Sequence, residues 1–262
     1  MRSKNFSGKL LAAAFLVTLF LQYSSTQAQE ITTYQYRYVA PGNVTEFIKR
    51  ETTYWSKVAQ KAIDKGTLTF WGLFERVGGS NAENLPNYLF INTFKNIDGD
   101  MNDIWNATAL FPNIPLAKME TNAISKVTND VFLSNGGWQQ RTTAVTTKDF
   151  NYVVMNYHNS SNAAQFNAIE NNHWGPFIKN AMDHQQTKQA GWGNALVLAP
   201  TGGDMKFNCL SFDLFPTLQT ALLGSFTTDT KFPTAGLDSL QKISLNDPIR
   251  EIYRVVKVVS KN

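Results

Sequence analysis

Two pairs of residues stand four apart, and each could do chemistry. Glu51 with Trp55 and Glu170 with Trp174 both put a carboxylate and an indole on one face of a helix, because residues i and i+4 are neighbours there. A glutamate desolvated by rings has a raised pKa and can act as a general base facing a cavity. The alternative is packing: tryptophan anchors the helix to its sheet while glutamate is solvated or caps a loop. Retention of both pairs in one chain favours packing, since two equivalent units would each need the same anchor.

The three histidines are the next candidates. His158 closes a strand-like run, Asn151 to His158, and by alternation shares a face with Tyr152, Val154 and Asn156. A polar patch of this kind on an inner face is where a ligand would be oriented; a strand-end histidine bonded to a loop is the plainer reading. His173 and His184 lie on one helix-like segment, about 16 Å apart at 1.5 Å per residue, too far to share an ion. No His-x-x-x-His and no cysteine pair is present, so no metal site is expected. Cys209 is the single cysteine. It rules out an intramolecular disulfide, and its apolar surroundings predict a buried, inert thiol.

The segments that must position these residues repeat. Trp71-Gly72 returns as Trp192-Gly193 and Phe111-Pro112 as Phe232-Pro233, both 121 residues on, whereas the Glu/Trp pairs are 119 apart. Self-similarity on this scale divides the chain into two like halves, 29–148 and 149–262. In the first, Thr32 to Val39 alternates tyrosine with polar residues and reads as a strand. A helix follows to about Asp64, stopped by Lys65-Gly66. Strands are then expected at Thr67 to Val77 and Asn87 to Lys95, short helical segments from Met101 to about Ser134, and a fourth strand at Trp138 to Thr147, after Asn135-Gly136-Gly137. The second half repeats the order: strands at Asn151 to His158, Gly191 to Leu198, Met205 to Phe212 and Ile249 to Val259, with helices at Asn162 to about His184 and Pro216 to Leu223. Strand, helix, strand, strand, helix, strand is the split βαβ pattern, with helices on one face of an antiparallel sheet.

Charge and the first residues bound the setting. Arg2, Lys4 and Lys9 precede the apolar run Leu10 to Leu21, and small residues follow at 24–28. This is the layout of a signal peptide over residues 1–28, and it predicts an exported protein, periplasmic or extracellular. The chain has 24 Lys and Arg against 20 Asp and Glu, and three of the cations lie in that leader. The remainder is nearly neutral, which gives no reason to expect nucleic acid as a partner, and no later run is long enough to span a bilayer.

On this element order and on the Glu-x-x-x-Trp, Trp-Gly and Phe-Pro echoes, the chain resembles the dimeric α+β barrel (ferredoxin-like) superfamily in a tandem form. The resemblance implies α+β architecture, with two ferredoxin-like βαββαβ units forming an intramolecular barrel whose two sheets meet face to face. It also implies a menu of activities: cofactor-independent monooxygenases, lactone isomerases, and haem proteins including dye-peroxidase-like ones. The last would carry Gly-x-x-Asp-Gly, but Lys95-Asn96-Ile97-Asp98-Gly99 lacks the leading glycine. The expected function is binding of a small, largely apolar or aromatic ligand between the sheets, with no catalytic residue assigned and the cofactor unknown. The residues expected at the ligand are Tyr36, Arg37, Trp71, Asn92, Asn156, His158 and Trp192. The alternatives are an oxygen-using or isomerising enzyme with His158 as base or haem ligand, and a cell-envelope interaction protein using an exposed sheet edge or helix face. A homo-oligomer is compatible with each.

Overall fold

Alternation of tyrosine with polar residues makes Ile31–Tyr38 the first strand, β1. A one-turn 3-10 helix at Pro41–Asn43 then leads into helix α1, which runs over 44–65 and ends where Gly66 takes a left-handed φ of 78°. Strands β2 (Leu68–Arg76) and β3 (Tyr88–Phe94) follow, then the one-turn helices α2 (Met101–Ile104) and α3 (Ala107–Leu110) and strand β4 (Lys126–Gln140). The second half supplies β5 (Tyr152–His158), α4 over 163–183, β6 (Gly191–Ala199), β7 (Cys209–Phe215), α5 (Leu218–Leu223), α6 (Thr234–Ile243) and β8 (Ile249–Ser260). The computed structural model describes residues 30–261 apart from 80, 81, 83, 84, 100, 144, 147, 203 and 204, so the expected leader lies outside the described residues. No helix among the described residues is long and apolar enough to cross a membrane.

The eight strands form one closed antiparallel barrel in the order β1-β3-β2-β8-β5-β7-β6-β4. Each half contributes four adjacent strands, and the halves join edge to edge at two seams, β2 with β8 and β4 with β6. This corrects the expectation of two sheets meeting face to face. Backbone groups at a sheet edge need partners, and here the edges of one half are satisfied by the edges of the other. The interior survives the correction, because a continuous sheet that closes on itself still encloses a lumen.

Both faces of the sheet are buried. Tyr34, Tyr36, Phe74, Leu89, Ile91, Val153, Met155, Tyr157, Leu210 and Leu214 form the inner cluster. Outside, α1 packs Phe47, Ala59 and Ile63 on Trp71, Leu73 and Phe90, and α4 packs Ile178 and Met182 on Trp192. The Trp-Gly echo follows from this geometry. Each tryptophan anchors a helix on the outer face, while the next residue points inward beside a lumen ring: a Cβ on Gly72 would lie 2.5 Å from Phe74, and one on Gly193 2.5 Å from Phe212.

Three expectations about elements are corrected. The fourth strand begins at Lys126, twelve residues before Trp138, because Asn135-Gly136-Gly137 is a bulge within the β4–β6 ladder and not a turn. The strand expected at Met205 to Phe212 is Cys209–Phe215, and α6 carries no counterpart in the sequence reading. The equivalence of β1, β2 and β3 with β5, β6 and β7 is also 121: Tyr36 pairs with Leu89 as Tyr157 does with Leu210. Arg37 therefore corresponds to His158.

Candidate functional site

The lumen holds a cavity of about 770 Å³, lined by residues from all eight strands and open at the end where β1, β2, β5 and β6 begin. Its walls are mostly hydrocarbon and ring: Phe70, Phe74, Ile91, Val153, Met155, Phe212 and Leu214. Trp138 stands at the rim, 46% exposed and stacked on Phe212 with centroids 5.9 Å apart. The connection between the halves crosses the same rim. Val145, Thr146 and Phe150 line the cavity, and an Arg141–Asp149 ion pair, with Asp149 accepting from Thr146 N at 2.7 Å, holds the loop in shape.

One strip of the wall is polar. Thr32 and Thr93 face each other across β1 and β3, with their hydroxyls 3.0 Å apart, and Thr32 Oγ1 donates to Asn135 Oδ1 at 3.0 Å. Thr32 has a single proton, so Thr93 must donate to Thr32, and the series runs Thr93, Thr32, Asn135. That leaves the Asn135 amide N–H groups with no partner among the described residues, on a side chain that lines the cavity. In the second half the places of Thr32, Tyr34 and Thr93 are taken by Val153, Met155 and Leu214, at the same 121-residue spacing. The two halves match in fold and differ in the lumen, so one wall can bond an oxygen while the opposite wall offers only contact area.

None of the seven residues expected at the ligand lies among those lining the cavity. Tyr36 points into the lumen but one layer below the chamber, where its hydroxyl donates to Tyr157. Trp71 and Trp192 are on the outer face beneath α1 and α4. Arg37 is bonded to Gln35, Asn122 and Ser125, with Thr121 at 3.5 Å. Asn92 donates to Thr33, and Asn156 donates to Asp213 at 3.0 Å. His158 packs its ring on Phe166 of α4 and stands 3.4 Å from Ser211, and burial pushes its pKa down to about 4. Alternation identified this face of β5 correctly but not its side. With helices covering the outside, both faces are apolar enough to be buried, and hydropathy cannot tell lumen from helix layer. The missed strip had a signal in the repeat: threonine opposite valine or leucine at equivalent positions.

The paired glutamates are neither solvated nor in the lumen. Each opens a π-turn, Glu51–Trp55 and Glu170–Trp174, and each is 4% exposed between its helix and the sheet. Glu51 accepts from Thr121 at 2.6 Å, and Glu170 accepts from Asn194 Nδ2 at 3.0 Å. Desolvation pushes both carboxyls up to about 7, against the opposing pull of those bonds and, for Glu51, of Arg37. Burial also raises Asp213 to about 6 and the Cys209 thiol to about 12.

Asn194 links Glu170 to the rim, because its Oδ1 accepts from the Gly137 N–H at 2.6 Å. The bulge can approach this closely only without side chains. A Cβ on Gly136 would fall 2.4 Å from Asn194 Oδ1, and one on Gly137 would fall 2.1 Å from Asn171 Oδ1. Asn194 is fixed at both ends, so Gly136→Ala is expected to lower stability by about 2–3 kcal/mol, read as a shift in the urea midpoint. An unchanged midpoint would mean the bulge is looser than this packing requires.

No family model matches the sequence, and no curated protein matches it. Solved structures do match in fold. An anthrone oxidase-like protein superposes with a TM-score of 0.53 at 13% identity, over 90% of this chain and 94% of that one. A protein from Fusobacterium nucleatum to which monooxygenase activity is ascribed gives 0.57 at 11% identity, over 90% and 96%. Another from Lactobacillus acidophilus, similarly ascribed, gives 0.54 at 10%, over 88% and 96%. They share the dimeric α+β barrel fold, and identities this low speak to fold alone.

Proposed function

We propose that this chain is an exported barrel of two ferredoxin-like βαββαβ units that takes a neutral, largely aromatic molecule into its lumen and supports its oxidation by dioxygen without a resident cofactor. The observation that carries the reading is the 770 Å³ chamber, with a ring and hydrocarbon wall at Val153, Met155, Phe212 and Leu214 and the Thr32, Thr93 and Asn135 strip opposite. Contact area supplies affinity there, and a few placed polar groups supply orientation. The Asn135 amide would donate to a ketone or phenol oxygen, while Val153, Met155 and Leu214 would hold the ring against the opposite wall. Charged ligands are disfavoured, since among the described residues only Glu30, just before β1, and Lys261, just after β8, bring charge to the lining. The likeness to an anthrone oxidase-like protein and to ascribed monooxygenases supports oxygen chemistry on such a molecule.

A haem held by histidine or cysteine does not fit this chamber. No histidine or cysteine is among its lining residues, and His158 lies on the outer face beneath α4. The closed sheet likewise offers no free strand edge among the described residues for a binding partner. A second reading, binding without turnover, is favoured by the scarcity of acid or base groups in the wall.

Anthrone, an enolisable aromatic ketone, is the probe for both. Saturable quenching of tryptophan fluorescence with oxygen uptake, and no added cofactor, is the expected result. Quenching without uptake would leave the second reading. No quenching would remove both.

A further inference from the structure

Deeper than its polar strip the chamber has one more polar group, which no other side chain engages. Tyr34 is the next inward residue of β1 after Thr32, two positions nearer the closed end, and it lines the chamber beside Ile91, its partner on β3. The side chain is 3% exposed. Its hydroxyl has no hydrogen-bond partner among the described residues, and it is not one of the unbonded atoms sealed from open space, as the Asn167 amide is. It therefore opens on the chamber. Burial pushes this phenol well above its ordinary pKa, so it stays protonated and can donate. Buried phenols in the layer below are treated otherwise: Tyr36 donates to Tyr157 at 3.1 Å, and Tyr253 donates to Glu251 at 2.6 Å. Tyr36 returns as Tyr157 at the 121-residue spacing, whereas Tyr34 returns as Met155. Phenylalanine would fill the place of Tyr34 without desolvating a hydroxyl, so the unbonded group is a cost that an acceptor on a ligand would offset.

Two donors thus stand at two depths. The Asn135 side chain is held at the level of Thr32 by the 3.0 Å bond from Thr32 Oγ1, and Tyr34 springs from β1 about 7 Å further in, at two residues of strand rise. Water in the open chamber can serve either donor, but a ring edge that displaces it without accepting a bond loses affinity. We propose that Tyr34 is a specificity-determining residue of the chamber, selecting flat aromatic molecules that carry a second oxygen at the end that enters first. One oxygen, ketone or phenol, takes the Asn135 amide. The other, at the opposite end of the ring system, accepts from Tyr34 Oη. Val153, Met155 and Leu214 hold the rings between them. The assignment rests on the chamber reading above and narrows it, from a neutral aromatic molecule to one oxygenated at both ends.

The test is titration calorimetry on the full chain with two isomers, one with its hydroxyls at opposite ends of the rings and one with them side by side. The wild type is expected to bind 2,7-dihydroxynaphthalene about 10-fold more tightly than 2,3-dihydroxynaphthalene. In Tyr34→Phe, which keeps the ring and removes only the hydroxyl, the difference should shrink to less than about twofold. Thr32→Val acts on the other oxygen, so it should weaken both isomers and preserve their ratio. Equal affinities in the wild type, or a preference that survives in Tyr34→Phe, would overturn the role of Tyr34, and binding of anthrone in the same preparation would leave the chamber reading standing. Failure of both isomers to bind a chain that does bind anthrone would have the same meaning. If neither isomer nor anthrone binds, the chamber reading falls and this one with it.

Discussion

Val153→Trp empties the barrel of its ligand: affinity for anthrone falls by about 100-fold or more, while the fold is retained. Val153 sits on β5 with its side chain in the chamber wall opposite the polar strip, and is 2% exposed. In a filled core an indole at this position would overpack, at about 1–3 kcal/mol. Here it has a cavity of about 770 Å³ to enter, so the added rings lie where the ligand's rings would lie. The expected signature is loss of quenching with a thermal midpoint close to that of the wild type. Thr32→Val is the polar companion. It keeps the shape but removes the hydroxyl that joins Thr93 to Asn135, and it should cost a ketone ligand about 10-fold. Wild-type affinity in Val153→Trp would show that ligands bind elsewhere.

Stability falls as pH rises from about 5 to 8, and Glu170→Gln removes part of the fall. The Glu170 carboxyl titrates near 7 in the folded chain against 4.5 when free. A raised acid pKa means the native state binds the extra proton. Its stabilising contribution is fully present below the unfolded value and is lost as pH rises through the folded value. The shift is worth about 3 kcal/mol. The glutamine amide has the same shape, and its oxygen can accept from Asn194 Nδ2 as the carboxylate does. The variant should be less pH-sensitive and more stable than the wild type at pH 8. Glu51 and Asp213, raised for the same reason, leave a residual slope, which His158, lowered by burial to about 4, opposes up to its free value of 6.5. Urea midpoints across this range would measure it, and parallel curves for the two proteins would show that Glu170 is not the group being titrated.

Much of the architecture was legible because helices and inter-strand turns carry local signals. Gly66 stops α1 where its left-handed φ requires, and the tyrosine alternation of β1 marks a strand without ambiguity. Strand β4 was not legible, since Asn135-Gly136-Gly137 reads as a turn in any local window and becomes a bulge only when β6 supplies Asn194. The site was less legible still. Sidedness depends on what covers each face, and a local window on β5 does not show that α4 folds back over it. The Glu/Trp echo favoured packing with solvated glutamates; the glutamates are instead buried and perturbed, behind the wall and not in the lumen.

The seams have a consequence for how the molecule comes into being. Phe70 pairs with Ser260 and Arg76 with Tyr253, so β2, made early, keeps an open edge until nearly the whole polypeptide has been synthesised. Contacts this distant in sequence are slow to form, and unpaired edges invite wrong partners meanwhile. Neither half encloses anything alone. The chamber therefore comes into existence all at once, when the last strand docks, and a chain cut short before β8 would present two bare edges of sheet and no interior.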